Sequence, residues 1–304
     1  MENDKVSFSS LITTYCRGYH SANDDPKIFD DFLAYRFLTE EERVTFDRQT
    51  VAAFQLWYPE RATSLTDPAD ALRWMVKDFM PSSLFVSRAR YTEDSLETAV
   101  KEGVRQYVIL GAGMDTFAFR RPELVEKLKV FEVDHPATQA FKRRRIDELG
   151  WEYPVQLHFV PANFMHECLA EVLKSPYDPN TLAFFSWLGV VHYLPRDAVF
   201  TTLRTIAGIC PAGSMLVFDY YDTDAFIPGR AAQRVTKGME ISRKTGEPMV
   251  TGFDPSTLAV DLHSVGLHLK EDLGPPDIQE RYFKGRTDGY YPYEHAHFAC
   301  AVVE

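Results

Sequence analysis

Cysteine is scarce in this chain: Cys16, Cys168, Cys210 and Cys300 are the four in 304 residues, and no two form a CxxC pair. That spacing predicts reduced thiols and excludes a zinc ribbon or a dithiol redox motif. No apolar run approaches the roughly 20 residues of a membrane span, and the polar N-terminus lacks a secretory core, so a cytoplasmic location away from membranes is expected. Long basic runs are also missing. With 33 Lys and Arg against 44 Asp and Glu, the net charge is −11, which argues against nucleic acid as a partner. The short clusters at Arg88 and Lys142 read as solvated helix faces or a local anion site. There is no GxSxG elbow, and the pairs His263/His268 and His295/His297 lack further ligands, so neither a serine hydrolase nor a metal site is expected.

What is present centres on Gln106 to Asp115, QYVILGAGMD. Tyr107 to Leu110 is a short apolar run suited to a central parallel strand. Gly111 and Gly113 then remove the side chains that would keep a ligand off the backbone, with Ala112 between them. The following helix start, near Asp115 to Phe119, offers free N–H groups to a polar ligand. A second apolar strand, KVFEV, ends in Asp134, about 20 residues after the glycines, where an acid meets a ribose diol in nucleotide-binding units. A dinucleotide fingerprint would place glycine or alanine at Thr116, and Asp115 would oppose a pyrophosphate, so nicotinamide and flavin lose ground. No Lys-Ser or Lys-Thr follows the glycines, which excludes a P-loop. S-adenosyl-L-methionine (SAM), with a ribose, no phosphate and an amino acid end, suits two acids better.

The blocks VILGAGMDTFAFR, VFEVDHPATQAFKRRR and FFSWLGVVHYL, with the opening CRGYHSANDDPKIFDDFLA, resemble the leucine carboxyl methyltransferase family, especially its bacterial branch of SAM-dependent enzymes. The resemblance spans nearly the whole chain. It implies an α/β class I methyltransferase (Rossmann-like) fold of seven strands, mostly parallel with an antiparallel last strand. It also implies SAM as cofactor and O-methyl transfer. Arg17 stands where the family suggests a cation near the cofactor carboxylate. Arg88 stands where an arginine of the family binds that carboxylate and is preferred over Arg90 on that ground; the two residues, two apart on a helix, point in different directions, and the sequence alone does not show which faces inward. After the third strand the family has an acid and an apolar residue near the adenine. This chain has Asn163, whose carbonyl oxygen can still accept from the amino group, and Phe164, which can pack on the ring. Trp187 replaces a glutamate of the family's protein-modifying members; it is expected either to stack near the cofactor or to lie in the core.

Residues 1–105 carry helical signals without a convincing strand, including a capping box at Thr39 and Glu42, a helix at Ile28 to Leu38, and a start at Asp67-Pro68. They are read as a helical cap on a core at 106–304. Strands are expected at 155–160, 181–188, 214–220, 267–273 and 297–303, with helices opening at Pro136, Pro195 and Asp254. Residues 222–253 show little periodicity and are read as a lid insertion. A carboxylate acceptor is ionised at neutral pH and needs no base. For a hydroxyl acceptor, His192, His20 and Tyr221 are the candidate bases by position, each with an alternative reading as an ordinary rim or core residue. The expected activity is methyl transfer to a small-molecule carboxylate or hydroxyl. A noncatalytic SAM-binding protein, a protein carboxyl methyltransferase and a nicotinamide oxidoreductase stand as alternatives, and the oligomeric state is open.

Overall fold

The computed structural model describes residues 6–163 and 167–304, so the candidate Phe164 lies outside the described residues. Seven strands form one sheet in the order β3-β2-β1-β4-β5-β7-β6. They are β1 (Gln106–Leu110), β2 (Lys129–Asp134), β3 (Leu157–Pro161), β4 (Ala183–Trp187), β5 (Met215–Tyr221), β6 (Leu267–Leu273) and β7 (Ala296–Val303). The first five pair in parallel, and β7 runs antiparallel to both β5 and β6. This is the expected class I methyltransferase topology. Strand order reverses between β1 and β4, which opens a crevice beyond their carboxyl ends.

Both faces of the sheet are covered, so the strands alternate between two apolar layers rather than between core and water. Tyr107 and Ile109 of β1, Phe184 of β4, and Val217 and Tyr221 of β5 belong to one layer, packed with Leu84, Tyr91 and Leu96 of the helix Ser82–Lys101. Val108, Leu110, Phe185, Trp187, Phe218 and Tyr220 belong to the other, beneath Val199, Leu203 and Ile206 of the helix Arg196–Ile209. The period of two fixes which β4 and β5 side chains reach the crevice.

Several local expectations hold. Thr39 and Glu42 form a reciprocal capping box on the helix Glu40–Trp57, and the Asp67 side chain accepts from Ala69 ahead of Pro68. The helix expected at Ile28 to Leu38 is instead a single 3-10 turn, Ala34–Phe37. Side chains have taken its backbone donors and its acids: His20 Nε2 accepts the Ile28 N–H at 2.8 Å, and Asp31 accepts from Thr116 Oγ1 at 2.7 Å. The aperiodic stretch 222–253 contains a helix, Gln233–Lys244, that buries only Arg234, Val235 and Ser242 and so shows little apolar pattern. The helix expected from Asp254 begins later, at Leu258. No helix among the described residues is long and apolar enough to cross a membrane.

Candidate active site

The turn after β1 is built as its glycines require. Gly111 and Gly113 have φ of +73° and +50°, which side chains disfavour, and a Cβ on Gly111 would lie 2.3 Å from Val190 Cγ2. The Gly111 N–H donates to the Val133 carbonyl at 2.8 Å. Asp134 completes the turn, because its carboxylate accepts the Gly113 N–H at 2.5 Å and the His135 N–H at 2.6 Å. Burial pushes that carboxyl above the usual range, while the two N–H groups act the other way. Asp115 uses one oxygen to accept the Phe117 N–H at 2.7 Å, at the start of the short helix Phe117–Arg120. An acid already sits at this helix start, an arrangement unsuited to a phosphate.

Both arginine candidates are buried and turned inward. Arg17, on the helix Phe8–Asn23, donates from Nη2 to the Met114 carbonyl at 2.9 Å and pairs through Nε with Asp31 at 3.1 Å. Arg88 donates from Nη1 to Asp219 at 2.7 Å. Arg90 is exposed and pairs with Asp94 on its own helix, so helix phase separates the two. Each buried guanidinium retains further N–H donors in its planar fork.

Gly111, Ala112, Gly113, Asp115, Asp134, Asn163, Arg17 and Arg88 all line one cavity of about 870 Å³. The backbone N–H of Asn163 donates to Glu167 at 2.8 Å. His192 and Tyr221 line the same cavity, with their rings edge to face at 5.1 Å. The imidazole is only 4% exposed, and its Nδ1 has no hydrogen-bond partner among the described residues. Burial pushes its pKa down to about 4, with Arg88 lowering it further and Asp219 opposing, so the ring is neutral near pH 7. A contact among cavity-lining residues joins three distant segments: Ser9 Oγ donates to Glu247 at 2.6 Å and lies 3.0 Å from the Tyr193 hydroxyl.

Two candidates lie elsewhere. His20 is fully buried away from the cavity, its Nδ1 2.8 Å from Asp24 and its Nε2 accepting backbone N–H groups. Trp187 is fully buried in the opposite layer, because its neighbour Ser186 takes the cavity-facing position on β4. The alternative core readings therefore describe these two residues. Sequence reasoning assigned no role to Asp219 or Asp31, which hold the two arginines. Asp219 carried a usable signal, since it alternates with Val217 and Tyr221 on the face of β5 that meets the cavity. Asp31 acts across the fold and gave none.

A family model described as leucine carboxyl methyltransferase matches residues 10–207. A Bacillus subtilis (strain 168) protein, YktD, named as an inferred SAM-dependent methyltransferase, is 37% identical over 304 residues, covering 99% of each chain. A Saccharopolyspora erythraea protein of the same description is 29% identical over 215 residues, covering 70% of this chain and 67% of its own. Among solved structures, a duf574 family protein from Streptomyces avermitilis superposes with a TM-score of 0.58 at 13% identity, covering 98% of both chains.

Proposed function

The chain belongs to the leucine carboxyl methyltransferase family and is a SAM-dependent methyltransferase, and on that premise we propose that it methylates an oxygen of a small molecule held in the 870 Å³ cavity. The observation that carries this reading is continuity. One cavity joins the glycine turn and Asp134 to a chamber bounded by His192 and Tyr221.

The residues present fit the cofactor. In this reading the Asp134 carboxylate, already fixed by two backbone N–H groups, holds the ribose diol. Arg88 and Arg17 hold the methionine carboxylate, and the remaining donors of a planar fork suit that group. Asn163 meets the adenine. The bound cofactor supplies a methyl on a sulfonium, whose departure leaves a neutral thioether. The protein's work is to orient an acceptor oxygen in line with that methyl and to exclude water. The Ser9–Glu247 contact serves the second task by tying the N-terminal helix to the 222–253 insertion.

The test is incubation with methyl-labelled SAM and a panel of small hydroxyl and carboxyl compounds, beside peptides with a free C-terminal leucine. Label is expected on small-molecule oxygens. Label on the peptides alone would move the substrate to the protein class, and tight SAM binding without transfer to any acceptor would favour a noncatalytic binding protein.

A further inference from the structure

The chamber beyond the cofactor residues has a marked chemical asymmetry. Its wall is largely apolar, with Trp57, Phe79, Met80, Phe85, Met239 and Met249 presented to the cavity by four separate segments. The Trp57 and Phe79 rings lie 5.3 Å apart. Phe79 comes from a π-helical turn, Met75–Phe79, which re-aims side chains that a regular helix would direct elsewhere. Met239 and Met249 belong to the 222–253 insertion, and methionine adapts to irregular apolar shapes. None of these six side chains can neutralise a charge.

Two arginines line the cavity, and both are committed. Arg17 is paired with Asp31 at 3.1 Å and Arg88 with Asp219 at 2.7 Å. Their remaining donors are assigned to the cofactor. The four lining acids are held as well: Asp134 by the Gly113 and His135 N–H groups, Asp115 by the Phe117 N–H, Glu93 by Arg120 and by Arg121 at 2.8 Å, and Glu247 by Ser9. A carboxylate acceptor would enter this chamber without a cation to receive it, and an unpaired buried charge is costly. A neutral hydroxyl needs only a hydrogen-bonding group, and His192 supplies one with an unpartnered buried nitrogen.

We propose that the acceptor is a largely apolar phenol, bound as the neutral hydroxyl, and that the imidazole of His192 is the group that takes its proton. The inference rests on the O-methyltransferase reading and narrows its substrate class. In the step, the phenol oxygen forms a bond to the methyl carbon. The S–C bond breaks with its electron pair going to sulfur, giving S-adenosylhomocysteine (SAH), and the O–H proton passes to a ring nitrogen of His192 and then to water. The weak basicity of the buried imidazole is sufficient, because the oxygen gathers positive charge as the O–C bond forms and its proton becomes strongly acidic.

The test uses 2-naphthol and 2-naphthoate, which share an apolar body, titrated calorimetrically into the full-length protein saturated with SAH. Naphthol is expected to bind at least about 10-fold more tightly than naphthoate, and Trp57→Ala is expected to weaken naphthol without changing SAH affinity. Naphthoate binding as tightly as naphthol, or neither binding while SAH is bound, overturns the proposal. Failure of SAH itself to bind would instead defeat the underlying methyltransferase site. With labelled SAM, naphthol should be methylated, and His192→Gln should slow that reaction about 100-fold near neutral pH. The loss should shrink as pH rises toward the acceptor's own ionisation, where no proton need be removed. A loss equal at every pH, or no transfer to bound naphthol by the unmodified protein, overturns the role given to His192.

Discussion

Arg88 on the helix Ser82–Lys101 and Asp219 on β5 meet at 2.7 Å, and the same carboxylate accepts the Gly189 N–H at 2.6 Å. One acid thus fixes the guanidinium and the loop leaving β4. Gly189 is needed there, since its φ is +69° and a Cβ would lie 2.7 Å from Arg88 Nη2. The arrangement leaves an aimed, partly satisfied cation at the mouth of the strand crevice, where a ligand carboxylate can complete it.

Removing that cation should discriminate between two cofactors. Arg88→Ala is expected to weaken SAM by about 10- to 100-fold, the range for a hydrogen-bonded charge, while decarboxylated SAM loses much less. Calorimetric titration of both compounds checks this. Equal losses would place the methionine carboxylate elsewhere.

Glu132, on the strand that ends in Asp134, forms a fully buried pair with Lys142 at 2.5 Å. Burial pushes the Glu132 carboxyl up to about 7, against the pull of Lys142. A carboxyl raised above its unfolded value of 4.5 contributes fully below that value and loses its contribution as pH rises through about 7. Lys142→Met leaves the carboxyl without its partner and raises it further. The expected cost is about 3–5 kcal/mol, growing as pH rises from 6 to 9, measured by urea denaturation. A cost that is small and independent of pH would show that the pair does not govern how the helix Pro136–Glu148, which carries Lys142, seats on the sheet.

His192 gives the opposite dependence. Its folded pKa of about 4 lies below the ordinary 6.5, so the unfolded chain takes up the proton first and stability falls as pH drops through that window. The ring packs against Tyr193 and Tyr221, and the charges of Asp219 and Arg88 act on it in opposite directions. His192→Gln removes the titration, so the protein's stability relative to this variant should decline between about pH 6.5 and 4. Parallel curves for the two proteins would mean that the imidazole is hydrated and titrates normally.

How much of this was legible in the sequence depended on whether the signal was local. The β1 run, the glycines and Asp134 were readable because strand, turn and acid lie within one supersecondary unit. The choice of Arg88 over Arg90 came from the family resemblance, and its partner Asp219 lies 131 positions away, beyond any local pattern. Trp187 was ambiguous because an apolar strand covered on both faces gives no sign of which face is the cavity. His20 entered the candidate set by its position in the N-terminal block, although Asp24 sits one helical turn away and fixes its ring. The helix Gln233–Lys244 escaped because its buried side is narrow and includes an arginine, whose guanidinium lies over Tyr291 and Tyr293.

The most direct test of the account is calorimetric titration of SAH into the purified protein and into Asp134→Ala, with circular dichroism confirming that both are folded. Saturable binding to the unmodified protein is expected, with a loss of about 10- to 100-fold in the variant, because the acid at the end of β2 holds the ribose. Binding by a folded Asp134→Ala within about twofold of the unmodified protein would contradict the account, and would mean that the cofactor does not sit against the glycine turn.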